Sequence, residues 1–160
     1  MTRIGSTLSL LTLLATTSAV AQQPGDDAPL HLPMISHEKL AYDGKVIYEA
    51  DVDMADPKAK PFVLEITVDD LSRTCLSKVG SVSTDQYEQR SKIGITGYQI
   101  SCVVTTLSPN GDAQADVVYT IQDPAKNASK SGHIKVNFQE GKEYKTLSNG
   151  SQVTLLLRTY

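Results

Sequence analysis

Residues 98–121 decide the fold, and their sequence is YQISCVVTTLSPNGDAQADVVYTI. Alternate positions from 98 to 106 would share one face of a strand, as would alternate positions from 115 to 121 in the next strand. The segment between them contains Asn110 and Gly111, a pair that tolerates the positive φ angles of a tight hairpin turn. The stretch therefore predicts two antiparallel strands, with Cys102 facing inward.

The same alternation recurs along most of the chain after residue 45. It is found at residues 46–54, 62–68, 134–138, 144–147 and 153–157. About seven strands with hairpin turns predict an all-β fold, an antiparallel β-sandwich, Ig-like or similar, with at most one short helix. The alternative is a small β-barrel. The chain has no tryptophan, which excludes the Cys…Trp…Cys core of an antibody domain.

Residues 69–92 fit this pattern least well. Asp70 could cap a short helix in which Leu71, Cys75 and Val79 share one face at a spacing of four. The other interpretation is a ragged edge strand. Both alternatives stay open at the level of sequence.

The first 21 residues have the parts of a secretory signal peptide. Arg3 precedes an apolar block at residues 8–15, and Ala19-Val20-Ala21 forms a small-x-small cleavage site. The apolar block is shorter than the about 20 residues that span a bilayer, which disfavours an uncleaved anchor. We therefore expect an exported protein, periplasmic or extracellular, whose mature chain begins at Gln22.

The predicted organisation is a signal peptide at 1–21, a flexible leader at 22–39 and a β-sandwich domain at 40–160. The leader contains Pro24, Gly25 and Pro33 and has little periodicity. No apolar segment of transmembrane length follows the signal peptide. The formal net charge is −3, and no basic cluster is present, so nucleic acid and anionic lipid are not expected partners.

Cys75 and Cys102 are the two cysteines of the chain. An even pair in an exported protein predicts a disulfide, which acts as a structural staple. A redox-active role would favour a Cys-x-x-Cys spacing, which this pair lacks.

The sequence assigns no catalytic, cofactor-binding or metal-ligating residue. His31, His37 and His133 have no zinc-site spacing. The acids Asp51, Asp53 and Asp56 lack the Gly and Glu of a calcium loop. Asn110, Asp112 and Asp116 could hold a weak surface ion, but turn chemistry explains those residue types. Serine-hydrolase and phosphate-binding motifs are also lacking, so a hydrolase would have to be assembled around His133.

Two further patterns concern the surface. Asn127-Ala128-Ser129 and Asn149-Gly150-Ser151 match the N-glycosylation pattern, although both fall where a loop or turn is expected anyway. Tyr42, Tyr87, Tyr144 and Tyr160 fall near strand ends or loops, and exposed tyrosine is enriched at binding surfaces.

The predicted function is an exported, non-enzymatic binding or structural module that contacts a protein or a cell-surface polymer. Loops or an edge strand would make the contacts, and residues 22–39 or 152–160 could be a donated strand. The alternatives are a small secreted hydrolase and a secreted enzyme inhibitor. An outer-membrane barrel is disfavoured because seven tyrosines and two phenylalanines are few for its aromatic girdles.

Overall fold

The alternating segments are all β-strands in the computed structural model, which describes residues 35–54, 56 and 58–160. The described residues form ten strands and one 3-10 turn, Pro124–Lys126. In chain order, the strands are β1 Ile35–Tyr42, β2 Lys45–Asp53, β3 Pro61–Val68, β4 Leu71–Lys78, β5 Val82–Ser91, β6 Gly94–Leu107, β7 Asp112–Asp123, β8 Ala128–Gln139, β9 Tyr144–Ser148 and β10 Ser151–Thr159.

Eight of these strands form two antiparallel four-stranded sheets, with the orders β4-β3-β10-β9 and β5-β6-β7-β8. The sheets pack face to face and do not close into a barrel, which confirms the predicted β-sandwich. Hydrogen-bonded neighbours are consecutive in the chain except for β3 with β10. This meandering order differs from the Greek-key connections of immunoglobulin domains.

The core lies between the two sheets and is built from the inward positions of both. The residues of this core that are at most 1% exposed are Phe62, Leu64, Ile66, Val68, Cys75, Ile100, Cys102, Val104, Ala115, Val117, Tyr119, Val153, Leu155 and Leu157. All of them except Cys75 come from the predicted alternation, because successive side chains of a strand point to opposite faces.

Gly132 allows the close approach of β8 to β9 at one corner of the sandwich. A Cβ atom on Gly132 would lie 2.5 Å from Ser148 Oγ and 2.5 Å from Cε1 of the Tyr119 ring. The Tyr119 hydroxyl donates a hydrogen bond to the Ser148 carbonyl at 2.8 Å. Neither atom is at the end of a long flexible side chain, so this corner requires glycine.

Residues 69–92 form the edge strands β4 and β5 of opposite sheets, so the helical interpretation is wrong and the edge-strand interpretation is right. Val68 pairs with Leu71 across a two-residue turn, in which Asp69 has a φ of 51°. Along β4 the less exposed positions are Leu71, Arg73 and Cys75, which is a period of two. The polar Arg73 at the middle position concealed this period in the sequence.

The hairpin of β1 and β2 is a separate two-stranded sheet that lies over the outward face of the β5–β8 sheet. Leu40 of β1 is 3% exposed. Beneath the hairpin, Val103, Ser101 and Asp116 occupy outward positions of their strands and are nevertheless buried. The predicted strand at 46–54 is therefore real, but it belongs to this covering hairpin. Its Tyr48 does not enter the core between the sheets and instead donates a hydrogen bond to the Gly80 carbonyl.

Two of the predicted ranges at the chain ends overlap strands of the structure. Residues 35–39, assigned to a flexible leader, form the start of β1. The signal peptide at 1–21 and the rest of the leader lie outside the described residues. Residues 152–159 of the possible donated strand fall in β10, which is bonded on both sides by β3 and β9, so donating this strand would split a sheet. The described part of the chain contains no helix with the length and hydropathy of a membrane span.

Candidate binding groove

A row of uncharged polar side chains crosses the outward face of the β5–β8 sheet. The register pairs Gln86 with Gln99, Gln99 with Thr120, and Thr120 with Ser131. Paired residues of neighbouring strands project to the same face of a sheet. Each of the four strands therefore contributes one amide or hydroxyl group to the row.

Two recesses flank this row and share Gln99 and Thr120. The larger recess encloses about 380 Å³ and extends toward Ile95 and Gln122. The smaller encloses about 270 Å³ and extends to the hairpin turn at Tyr42. We call the continuous depression formed by both recesses the sheet groove.

Gly97 keeps the floor of the sheet groove open between Glu88 and Gln122, its partners on the neighbouring strands. A Cβ atom on Gly97 would lie 2.2 Å from the Tyr87 carbonyl oxygen, which belongs to the backbone of the adjacent strand. No side chain can be accommodated there without moving β5. The glycine thus sets both the strand pairing and the shape of the floor.

The polar side chains of the row are not hydrogen-bonded to the described part of the protein. This holds for Gln86, Gln99, Thr120 and Ser131, and also for Gln122 beside the row. By contrast, Thr84 and Ser101, on the neighbouring row, bond to each other at 2.8 Å. The groove therefore presents donors and acceptors that water or a ligand must satisfy.

Tyr42 closes the hairpin end of the sheet groove and is held in place. Its ring is tilted against the His133 ring, with centroids 5.8 Å apart. Its hydroxyl accepts a hydrogen bond of 3.3 Å from Asn149 Nδ2, which also donates to the Ser131 carbonyl at 2.8 Å. The asparagines of both sequons, Asn127 and Asn149, are exposed, and Asn149 is in addition hydrogen-bonded within the fold.

Beneath the hairpin, a buried carboxylate supports this end of the groove. The Asp116 side chain is 2% exposed, and its Oδ1 lies 3.1 Å from His133 Nε2. Lys135 Nζ lies 3.9 Å from the other carboxylate oxygen. A buried charge requires such partners. Asp116 therefore has a different role from Asn110 and Asp112, which bond to each other in the β6–β7 turn.

His37 lies on the solvent-facing side of the hairpin, among the acids that resembled a calcium loop. Its ring nitrogens lie 3.0 Å from Asp51 Oδ1 and 2.8 Å from Glu49 Oε1. The hydrogen bond with Asp51, and then that with Glu49, raises the pKa of His37 above 6.5. Among the described residues, no group of three His, Cys, Asp or Glu side chains is arranged to hold a metal ion.

Cys75 of β4 and Cys102 of β6 are neighbours in the core and belong to different sheets. Burial, followed by the proximity of Cys75, raises the pKa of the Cys102 thiol. Both are free thiols in this structure.

A second cluster, not foreseen from sequence, lies where β4 approaches β5. The Arg73 guanidinium lies 4.3 Å from the centre of the Tyr98 ring, a cation–π contact. The Tyr98 hydroxyl donates to Asp85 at 3.3 Å, and the Tyr87 ring stacks on Tyr98. These contacts anchor the inward face of the β5–β6 hairpin whose other face carries the groove.

Comparisons of the chain with known protein families, curated proteins and solved structures found no match. The sheet groove is therefore the feature of the molecule from which a function can be inferred. Its residues were not identified from sequence, because isolated outward polar residues in strands are typical of solvated faces. One feature of the sequence could have indicated the groove. Uncharged polar side chains recur at outward positions of three successive strands, at Gln86, Gln99 and Thr120.

Proposed function

We propose that this protein is an exported, non-enzymatic binding module that holds its ligand in the sheet groove. The observation that supports this proposal is the row of four uncharged polar side chains, whose hydrogen-bonding groups have no partner among the described residues. The outward face of the other sheet is different, since there Arg158 and Glu65 form an ion pair of 2.9 Å. Clefts with convergent polar groups are the usual form of ligand sites.

Export is supported by the positive start, the apolar block and the small-x-small site of residues 1–21. The positions of Cys75 and Cys102 support a disulfide between the two sheets in an oxidising compartment. Such a bond would hold β4 and β6 together and so stiffen the sheet that carries the groove.

A small secreted hydrolase is the second candidate, and the pair of Asp116 and His133 favours it. A buried acid that orients a histidine is one part of a nucleophile-activating triad. Within the described residues, His133 has no hydroxyl or thiol hydrogen-bond partner. In the proposed function this pair is structural, and it supports Tyr42 from below.

The test is co-sedimentation of the purified protein with the envelope fraction of the producing cells. Thr120→Arg places a long charged side chain in the middle of the groove. Thr154→Arg is the matched control, because Thr154 has the same half-buried exposure on a central strand of the opposite sheet. Circular dichroism and urea unfolding check that both variants fold.

We expect Thr120→Arg to abolish co-sedimentation and Thr154→Arg to retain it. Equal binding by the wild type and both variants would place the ligand elsewhere and contradict the proposal. The variant His133→Ala distinguishes the binding module from the second candidate, the secreted hydrolase. A binding module loses at most a few-fold in affinity, whereas loss of a hydrolytic activity by about 10²-fold or more in a folded variant would indicate acid–base chemistry.

A further inference from the structure

The dimensions of the polar row fit an extended ligand. Neighbouring strands lie about 4.8 Å apart, so a row across four strands spans roughly 14 Å. The two recesses continue the groove beyond both sides of Gln99 and Thr120. A ligand that covered the row and entered both recesses would be an extended molecule.

The chemistry of the row fits partners that both donate and accept hydrogen bonds. Each glutamine amide carries two donors and an acceptor in one plane, and each hydroxyl can do either. Vicinal hydroxyl groups present the same mixture at short spacing. A peptide that binds as an added strand needs the free backbone of an edge strand, and Gln99 and Thr120 lie on the central strands β6 and β7.

The charge of the groove points to an uncharged ligand. Among the described residues that line it, none is a lysine, arginine or histidine. Its two acids are peripheral: Glu88 pairs with Arg90 at 2.6 Å, and Asp43 lies in the β1–β2 turn. A polyanion would find no cation among these lining residues, and charged ligands need a complementary potential.

Apolar groups lie at the two ends of the sheet groove, on opposite sides of the polar row. Tyr42 closes one end, and Ile95, which is 40% exposed, lies at the other. A sugar ring has apolar C–H faces between its equatorial hydroxyl groups, and an aromatic or aliphatic side chain can pack against such a face.

Resting on the proposed function, we infer that the ligand of the sheet groove is a neutral polysaccharide, that is, an uncharged chain of hydroxyl-rich sugar rings. Tyr42 and Ile95 contact ring faces, and the glutamine and threonine side chains bond to the hydroxyl groups between them.

The experiment is an array of neutral, acidic and amino glycans probed with the mature protein, followed by calorimetric titration of the tightest binder. We expect binding to a neutral glycan that changes little between 50 mM and 500 mM salt, because no ion pair is formed. Thr120→Arg should weaken this binding by about tenfold or more, and Thr154→Arg should leave it within about twofold.

Two results would overturn the inference. One is the lack of binding to any neutral glycan. The other is binding only to charged glycans with a strong dependence on salt. If either occurred while Thr120→Arg still abolished co-sedimentation with the envelope fraction, the binding function would stand and only the ligand class would be wrong. If Thr120→Arg co-sedimented normally, the proposed function itself would fail.

Discussion

Replacing Leu40 with alanine tests whether the β1–β2 hairpin is firmly docked on the sheet beneath it. Leu40 is 3% exposed, and it is the one buried side chain among the described residues of this hairpin. Removing a buried leucine side chain costs about 2–5 kcal/mol, from lost burial and from the cavity that remains. We expect about 3 kcal/mol here, because Tyr48, the partner of Leu40 on β2, stays in place and limits the collapse of the cavity.

Urea unfolding and hydrogen exchange together measure this loss. With a slope of about 1–3 kcal/mol per molar urea, a loss of 3 kcal/mol lowers the midpoint by about 1–3 M. If the hairpin opens separately from the sandwich, the same loss appears as faster exchange of amides in residues 35–53. Leu147→Ala is the control, since Leu147 is 76% exposed and its truncation should cost less than about 1 kcal/mol.

The reasoning is refuted if Leu40→Ala loses less than about 0.5 kcal/mol and leaves exchange in residues 35–53 unchanged. The hairpin would then not depend on this contact. Tyr42, which lies two positions further along the same face, would have no fixed place at the end of the groove.

Three further predictions concern the core, one corner and the surface. Cys75 and Cys102 of the exported protein should resist thiol labelling under denaturing, non-reducing conditions, and labelling of both would exclude the disulfide. Replacing both with alanine should lower the free energy of unfolding by roughly 2–5 kcal/mol. Gly132→Ala should lower the unfolding midpoint, because its Cβ would lie 2.5 Å from Ser148 Oγ, and a wild-type midpoint would show that the corner relaxes freely. The pKa of His37, followed by NMR, should lie above 6.5. Its stabilising effect is full below pH 6.5 and is lost as the pH rises through the raised pKa, and an unshifted pKa would contradict the ion pairs.

The sequence was sufficient to predict the strands that form the two facing inner surfaces. From Phe62 to Val68 and from Ile100 to Val104 the alternation is strong because each inward position must be apolar to be buried. The edge strands were harder to identify. An edge position such as Arg73 is reached by solvent, so it can be polar without breaking the strand.

The placement of the hairpin and the groove could not be predicted in the same way. The alternation of β2 indicates one apolar face, but it does not say whether that face covers the core or the outward side of another sheet. The polar row joins Gln86 to Ser131, which are far apart in the chain, and only the register of three strand pairs brings them into line. Uncharged polar residues carry no local signal of that register.

Hydroxyl-radical footprinting of the protein bound to the envelope fraction tests the central claim most directly, because it reports the solvent access of individual side chains. The account predicts that oxidation of Tyr42 and Ile95, at the two ends of the sheet groove, falls on binding. Leu76 and Leu147, which are 66% and 76% exposed at the edges of the opposite sheet, should be oxidised as in the free protein. Protection of Leu76 and Leu147 with unchanged oxidation of Tyr42 and Ile95 would contradict the account.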